Sequence, residues 1–252
     1  MRGIIVMAMF AVSLSYAGSG QYTEVRNFDL DASGLSEVFI DAGAGAMVVS
    51  GVDGSDEVVV VATIIVDNDD PEEAVKFIEK RLRLNLTRDG DRAVLKSGFS
   101  PGWGWGADAA VDLDVRMPAQ LALVIDDGSG LVKVSDVAGA VRIDDGSGAI
   151  EIANSGDVDI DDGSGSISLE NTGAVKIDDG SGSITIVAAA GDVYVEDGSG
   201  PIDIRQVRGS VTVDDGSGDI EIDDVEHDLV IEEEGSGSLR YANVRGSVQQ
   251  RD

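Results

Sequence analysis

Cysteine is absent from this chain, which excludes a disulfide framework, a thiolate metal site and a lipid-modified N-terminal cysteine. Histidine occurs once, at His227, so no metal-ligating histidine cluster can form, and neither a Ser/His/Asp arrangement nor a phosphate-binding glycine loop is present. Basic residues are few: 18 Lys and Arg stand against 48 Asp and Glu, a formal charge of −30. Such a chain is repelled by the phosphates of DNA and anionic lipid, and its natural counterparts are cations. The same balance also keeps an exposed protein soluble. Past the N-terminus no stretch has the length and apolarity of a membrane helix, and no tail resembling a membrane barrel follows the repeats.

What the chain does have is a repeat. Ile143-Asp144-Asp145-Gly146-Ser147-Gly148 recurs with small changes seven times, its first glycines at Gly128, Gly146, Gly163, Gly180, Gly198, Gly216 and Gly235, spaced 18, 17, 17, 18, 18 and 19 residues apart. A unit this short has no core of its own and must bury its apolar side chains against its neighbours in a stacked array. Val141 and Ile143 precede the turn and Ile150 and Ile152 follow it; Val158, Ile160, Ile167 and Leu169 do the same one rung on. Each rung therefore has two short strands with alternate side chains inward, leaving Arg142, Glu151, Asp159, Lys176, Arg205 and Glu221 outward. The second connection of each rung reads as looser. The expected fold is all-β, a parallel β-solenoid of 17–18-residue rungs. Right-handed winding is expected from the general rule for parallel crossovers, and at ~4.8 Å per rung the repeats span roughly 35 Å.

Residues 1–17 read as a secretory signal peptide. Met1-Arg2 gives a positive end, residues 3–12 an apolar run too short to span a bilayer, and Ser15 and Ala17 the small residues before cleavage. The mature chain is expected outside the cytoplasm, in the periplasm or at the cell surface, without membrane insertion. Residues 18–120 read as a β-rich capping portion with one helix, continuous with the regular repeats of residues 121–252. Within the cap, Ile40-Asp41-Ala42-Gly43-Ala44-Gly45 stands as a degraded first copy of the turn. Residues 57–66 are β-branched and read as a buried strand. Asp70-Pro71-Glu72-Glu73 supplies an N-cap, a first-turn proline and first-turn acids, predicting a helix over about 71–83. Asp89-Gly90 reads as a hairpin turn, residues 98–107 as a loop, and residues 111–116 as a strand.

The two acids of the turn behave differently. The outer one accepts either carboxylate: Asp126, Asp144, Asp161, Asp178, Glu196, Asp214 and Glu233. The inner one is Asp127, Asp145, Asp162, Asp179, Asp197 and Asp215, becoming Glu234 only in the last copy. Near-exclusive Asp means that one methylene matters there. An Asp before Gly-Ser-Gly accepts hydrogen bonds from backbone N–H groups two or three residues on and fixes the turn. The acids, with Ser129, Ser147, Ser164, Ser181, Ser199 and Ser217, are expected to form hydrogen-bonded ladders along one corner. Calcium is the sharper alternative. Carboxylates stacked about 5 Å apart repel, and a hard cation at Asp127, Asp145, Asp162, Asp179, Asp197 and Asp215 relieves that repulsion. The spacings of calcium-binding β-rolls and of helix–loop–helix calcium loops are lacking.

Paired carboxylates are what glycoside hydrolysis requires. Here they recur identically in every rung, whereas an active site breaks repeat symmetry with a unique base, acid or cation. The loop carrying Trp103 and Trp105 is the one interruption; it reads as packing of the cap, with stacking on a sugar face as the alternative. His227, at the looser corner, reads as a surface residue.

The run at residues 40–45, the helix after Asp70-Pro71, Val111-Asp-Leu-Asp-Val-Arg-Met-Pro118 and the repeated Asp-Gly-Ser-Gly-x-Ile-x-Ile together resemble a family. It is that of bacterial extracytoplasmic adhesin domains of unknown function, among them the auto-transporter adhesin head, or GIN, domains. The resemblance implies a β-solenoid on or outside the inner membrane, an adhesin role assigned by inference, and no catalytic residues. The expectation is a non-enzymatic exported solenoid contacting an envelope or surface protein or polysaccharide through its acidic and hydroxyl-bearing faces. A carbohydrate-active or carbohydrate-binding solenoid and an envelope-stress signalling component are the alternatives.

Overall fold

Alternate apolar residues on strands of five to eight residues dictate the architecture of the repeats. A computed structural model describes residues 13–17, 20–100 and 109–251. The tryptophan loop and the apolar run of residues 3–12 lie outside them. Val141–Asp145 pairs in parallel with Val158–Asp162, then Val175–Asp179, and so on to Leu229–Glu233, forming a front sheet. After each Gly-Ser-Gly turn the chain enters a back sheet, where Gly148–Ala153, Gly165–Thr172, Gly182–Ala189 and their successors pair the same way. The result is a β-solenoid of about 7 turns with rungs of ~18 residues.

Register carries the packing. Ile143 faces Ile160, which faces Ile177, so each inward residue stacks on its counterpart in the next rung. The two-residue period of the strand places Val141, Ile143, Ile150 and Ile152 in one dry interior, each no more than 2% exposed. Full burial of such a side chain contributes about 1.5–3 kcal/mol, and its repetition in every rung holds the stack together.

The degraded first copy takes its expected place. Glu37–Ala44 lies beside Ala122–Ser135 with Ile40 opposite Ile125, Asp41 opposite Asp126 and Ala42 opposite Asp127. Its other side is covered by strands from later in the chain: Arg92–Phe99 pairs with Glu37–Ala44, and Ala109–Pro118 with Met47–Val52. Beyond them the parallel order stops. Glu57–Asp67 joins Ala109–Pro118 antiparallel, followed by Gln21–Asp31 and then Ser13–Ala17. Glu57–Asp67 is not buried on both faces, as its composition suggests. Val58, Val60, Ala62, Ile64 and Val66 are fully buried while the alternate residues are part-exposed, because only one face meets the core.

The helix forms at Pro71–Arg81, with Asp70 Oδ1 accepting from the backbone N–H groups of Glu72 (2.9 Å) and Glu73 (3.4 Å). It ends two residues short of the expected position because Leu82 opens the strand Leu82–Asp89, which turns at Gly90 and pairs antiparallel with Arg92–Phe99. Ala74 and Ile78 form its buried face, and Phe77 lies 5.3 Å from Phe99, ring centre to ring centre. The helix and hairpin thus close one end of the stack.

Candidate functional site

The Asp-Gly-Ser-Gly corner is built almost entirely from backbone. From Gly146 to Gly216 the first glycine N–H of each turn donates to the inner Asp carbonyl of the preceding rung, as Gly163 does to Asp145 at 2.9 Å. The second glycine N–H donates the other way, Gly165 to Ser181 at 2.9 Å. That second glycine is obligatory: Gly165 has φ +148°, and a Cβ there would lie 1.5 Å from the Gly148 carbonyl oxygen. The serines join the ladder through this backbone rather than through a hydroxyl ladder, because the tight spacing already satisfies the backbone of adjacent rungs.

The inner acids turn into the protein. Asp127, Asp145, Asp162, Asp179, Asp197 and Asp215 are no more than 5% exposed. In five of them Oδ1 accepts the N–H of the serine two residues on, at 3.0 to 3.2 Å, for example Ser164 to Asp162 at 3.1 Å. The Asp-specific turn expected from the sequence is therefore present. Oδ2 is the unexpected part: in all six residues it is buried without a hydrogen-bond partner. A buried, unpaired carboxylate is costly and is relieved by taking up a proton. Burial accordingly raises Asp127 to about 7, reinforced by the charge of Asp145, and raises Asp145, Asp179 and Asp197 to about 6. Asp162 and Asp215 are shifted upward for the same reason. Among the described residues no three His, Cys, Asp or Glu side chains converge on a position that could hold a metal ion. Each inner Asp presents a single free oxygen to its column.

The column ends where the repeat lengthens. Ile231 stays opposite Val213 but Glu233 falls opposite Asp214, so Glu232 is an inserted bulge residue. Glu233 and Glu234 are exposed, which is why the last copy tolerates Glu where every other has Asp.

Asp126, Asp144, Asp161 and Asp178 form a parallel column on the outside of the front sheet, exposed and without a salt bridge among the described residues. Beside it runs a second outward row, in which Val124, Arg142, Asp159, Lys176, Tyr194 and Thr212 follow one another rung by rung. Arg142 pairs with Asp159 at 3.2 Å, and the Tyr194 hydroxyl donates to Glu196 at 3.3 Å.

The second connection, which reads as loose, is in fact a regular corner. Asp136, Asn154, Asn171, Ala188, Gln206, Asp224 and Asn243 all have φ between 54° and 62°. Asn and Asp tolerate this left-handed conformation, and their side chains link the rungs: Asn154 donates to Asp136 at 2.9 Å and Asn171 to Asn154 at 3.2 Å. Ala188 and Gln206 adopt it without such a link. The shared offset of the Asn and Asp residues is the signal that could have revealed the corner. His227 stands on this corner as an exposed residue, its carbonyl accepting from Gly246 at 3.0 Å.

No family model matches the chain, and no curated protein matches its sequence. Solved structures do resemble it. A protein from Clostridium sporogenes, provisionally named a cell adhesion protein, has a TM-score of 0.45 at 12% identity over 91% of this chain and 100% of that one. A provisionally named adhesin from Bacteroides fragilis gives 0.38 at 14% over 90% and 96%. A provisionally named lipid-binding protein from Parabacteroides distasonis gives 0.44 at 14% over 90% and 97%. No residue role transfers at such identity.

Proposed function

We propose that the protein is an exported, non-enzymatic β-solenoid that serves as an adhesin-like interaction protein of the cell envelope or surface. The supporting observation is the uniformity of its acids. Five successive inner Asp residues, Asp145 to Asp215, engage their serine in the same way, and the outer acids form an even column. Acid–base catalysis needs two carboxyl groups that reach the substrate, and the inner carboxyl of each turn from Asp127 to Asp215 is buried, no more than 5% exposed. A stack of rungs with side-chain rows along its faces instead offers an extended contact surface. Among the described residues no helix is long and apolar enough to cross a membrane.

The reading is tested by expressing the full chain in a bacterial host and fractionating the cells. A mature protein beginning at Gly18, recovered from the periplasm, cell surface or medium, is expected, with no sugar released from polysaccharide panels. Recovery of the chain only in the cytoplasm with residues 1–17 intact would overturn the exported reading. Release of reducing ends would overturn the non-enzymatic one. Carbohydrate binding is the second reading, favoured by the trough on the front sheet.

A further inference from the structure

A trough of about 690 Å³ runs along the front sheet. One wall is the outward row that includes Arg142, Asp159, Lys176 and Tyr194; the other is the rung corner, where Ala140 and Ala174 alternate with Asp157 and Asp192. Between them the strands turn their side chains inward, so the floor is backbone. Each rung contributes the same three positions, corner, inward and outward, so the trough runs straight along the stack. At ~4.8 Å per rung, five steps from Val124 to Thr212 make it about 24 Å long. A straight, elongated channel fits a linear polymer lying along the stack better than a compact ligand.

Its chemistry narrows the polymer. A polyanion is opposed by the net charge of −30. A polycation is drawn to the outer acid column, but the acids of the trough itself are engaged: Glu37 pairs with Arg92, Asp159 with Arg142, and Asp157 and Asp192 accept the backbone N–H groups of Ala174 and Ser210, while Lys176 has no ion pair among the described residues. An added peptide strand needs a free strand edge, and the floor strands are paired on both sides, as Val158–Asp162 is by Val141–Asp145 and Val175–Asp179. Sugar hydroxyls both donate and accept, which suits a wall where cationic donors alternate with a carboxylate acceptor. The apolar face of a sugar ring suits the Tyr194 ring and the mainly apolar exposed lining of the trough.

We propose that this trough binds a neutral linear polysaccharide laid parallel to the stack, with Tyr194 as stacking platform and Lys176 and Asp159 as hydrogen-bonding groups. The proposal deepens the interaction-protein reading above and rests on it. Calorimetry of the purified protein, as recovered from expression of the full chain, against neutral linear gluco-, manno- and xylo-hexasaccharides tests it, with heparin and polylysine as charged comparisons. At least one neutral hexasaccharide is expected to bind. Tyr194→Ala is expected to weaken it about three- to tenfold and Lys176→Ala to weaken it measurably, both at unchanged melting temperature, while Asp144→Asn on the neighbouring column leaves it unaltered. Absence of binding to every neutral saccharide at millimolar concentration overturns the proposal, as does binding that Tyr194→Ala leaves intact or binding confined to heparin or polylysine. These results are independent of where the chain localises, so cytoplasmic recovery would fault the exported reading without touching them.

Discussion

Asp145 and Asp162 stand opposite each other on adjacent front strands, each holding its own turn through Oδ1 and each burying an Oδ2 that nothing satisfies. Because an unfolded Asp titrates near 3.9 and the folded groups titrate higher, Asp127 at about 7 and Asp145, Asp179 and Asp197 at about 6, the folded chain holds more protons in between. Their contribution to stability is therefore fully present below about pH 4 and is lost as pH rises through 6 to 7. Urea unfolding is expected to show a higher midpoint at pH 5 than at pH 8. An equal or higher midpoint at pH 8 would refute this account of the column.

Asp162→Asn separates the inner column from the general charge of the molecule. Asn keeps an oxygen for the Ser164 N–H and replaces the unsatisfied Oδ2 by an NH₂ donor facing the neighbouring carboxylates. At pH 8 the variant is expected to gain about 1 kcal/mol, and its stability to depend less steeply on pH. Asp162→Ala, which deprives the turn of its acceptor, is expected to lose about 1–2 kcal/mol. Both values come from the same urea titrations.

The column can be relieved by protons or by a cation, and a melting curve distinguishes them. Calcium takes 6–8 oxygen ligands, about as many as the six Oδ2 atoms of the entire column, which are spread over six rungs. The melting temperature at neutral pH is expected to be the same in millimolar calcium and in chelator. A calcium-dependent rise would place an ion among the inner acids.

The two kinds of corner glycine differ sharply in what they tolerate. Gly165→Ala puts a methyl group on the Gly148 carbonyl, 1.5 Å away, and is expected to cost more than about 3 kcal/mol or to prevent folding. Gly54 also has a positive φ, +70°, but nothing lies within 4 Å of a Cβ there. Gly54→Ala is expected to cost only about 1–2 kcal/mol. Circular dichroism melts of the two variants make the comparison.

At the opposite corner, Ala188 interrupts the side-chain links that run from Asp136 through Asn154 to Asn171. It lines an open recess of about 470 Å³, so a larger residue has room. Ala188→Asn supplies a residue at ease with φ near 60° and is expected to add about 0.5–1 kcal/mol, read as a higher melting temperature. A lower one would show that the recess does not accept the amide.

These contrasts also explain what could be read in advance. The Asp-Gly-Ser-Gly corner was legible because steric contact between rungs permits only glycine at Gly148, Gly165 and Gly182, so the same letters recur. The Asn/Ala/Gln corner was not, because a left-handed residue facing open space can be any of several types. The inward pattern of Val141, Ile143, Ile150 and Ile152 announced the solenoid, and Asp70-Pro71 the helix. The place of Arg92–Phe99 and Ala109–Pro118 beside the first rung was hidden, since pairing between distant segments leaves no local period. The trough was half visible: Arg142, Asp159 and Lys176 were evident as outward residues, but only register lines them up with Tyr194.

That distant pairing has a consequence for how the chain acquires its structure. Glu37–Val52 is among the earliest of these strands to be synthesised, yet its partners on both sides lie between residues 92 and 135. It has no lasting neighbour until well over a third of the polypeptide exists, so its order in space is not its order in time. Later rungs, by contrast, each dock on one already in place. The protein is thus expected to gain its first stable nucleus near the middle of the chain and to grow outward from it, and a truncation before residue 92 should leave the first rung without either wall.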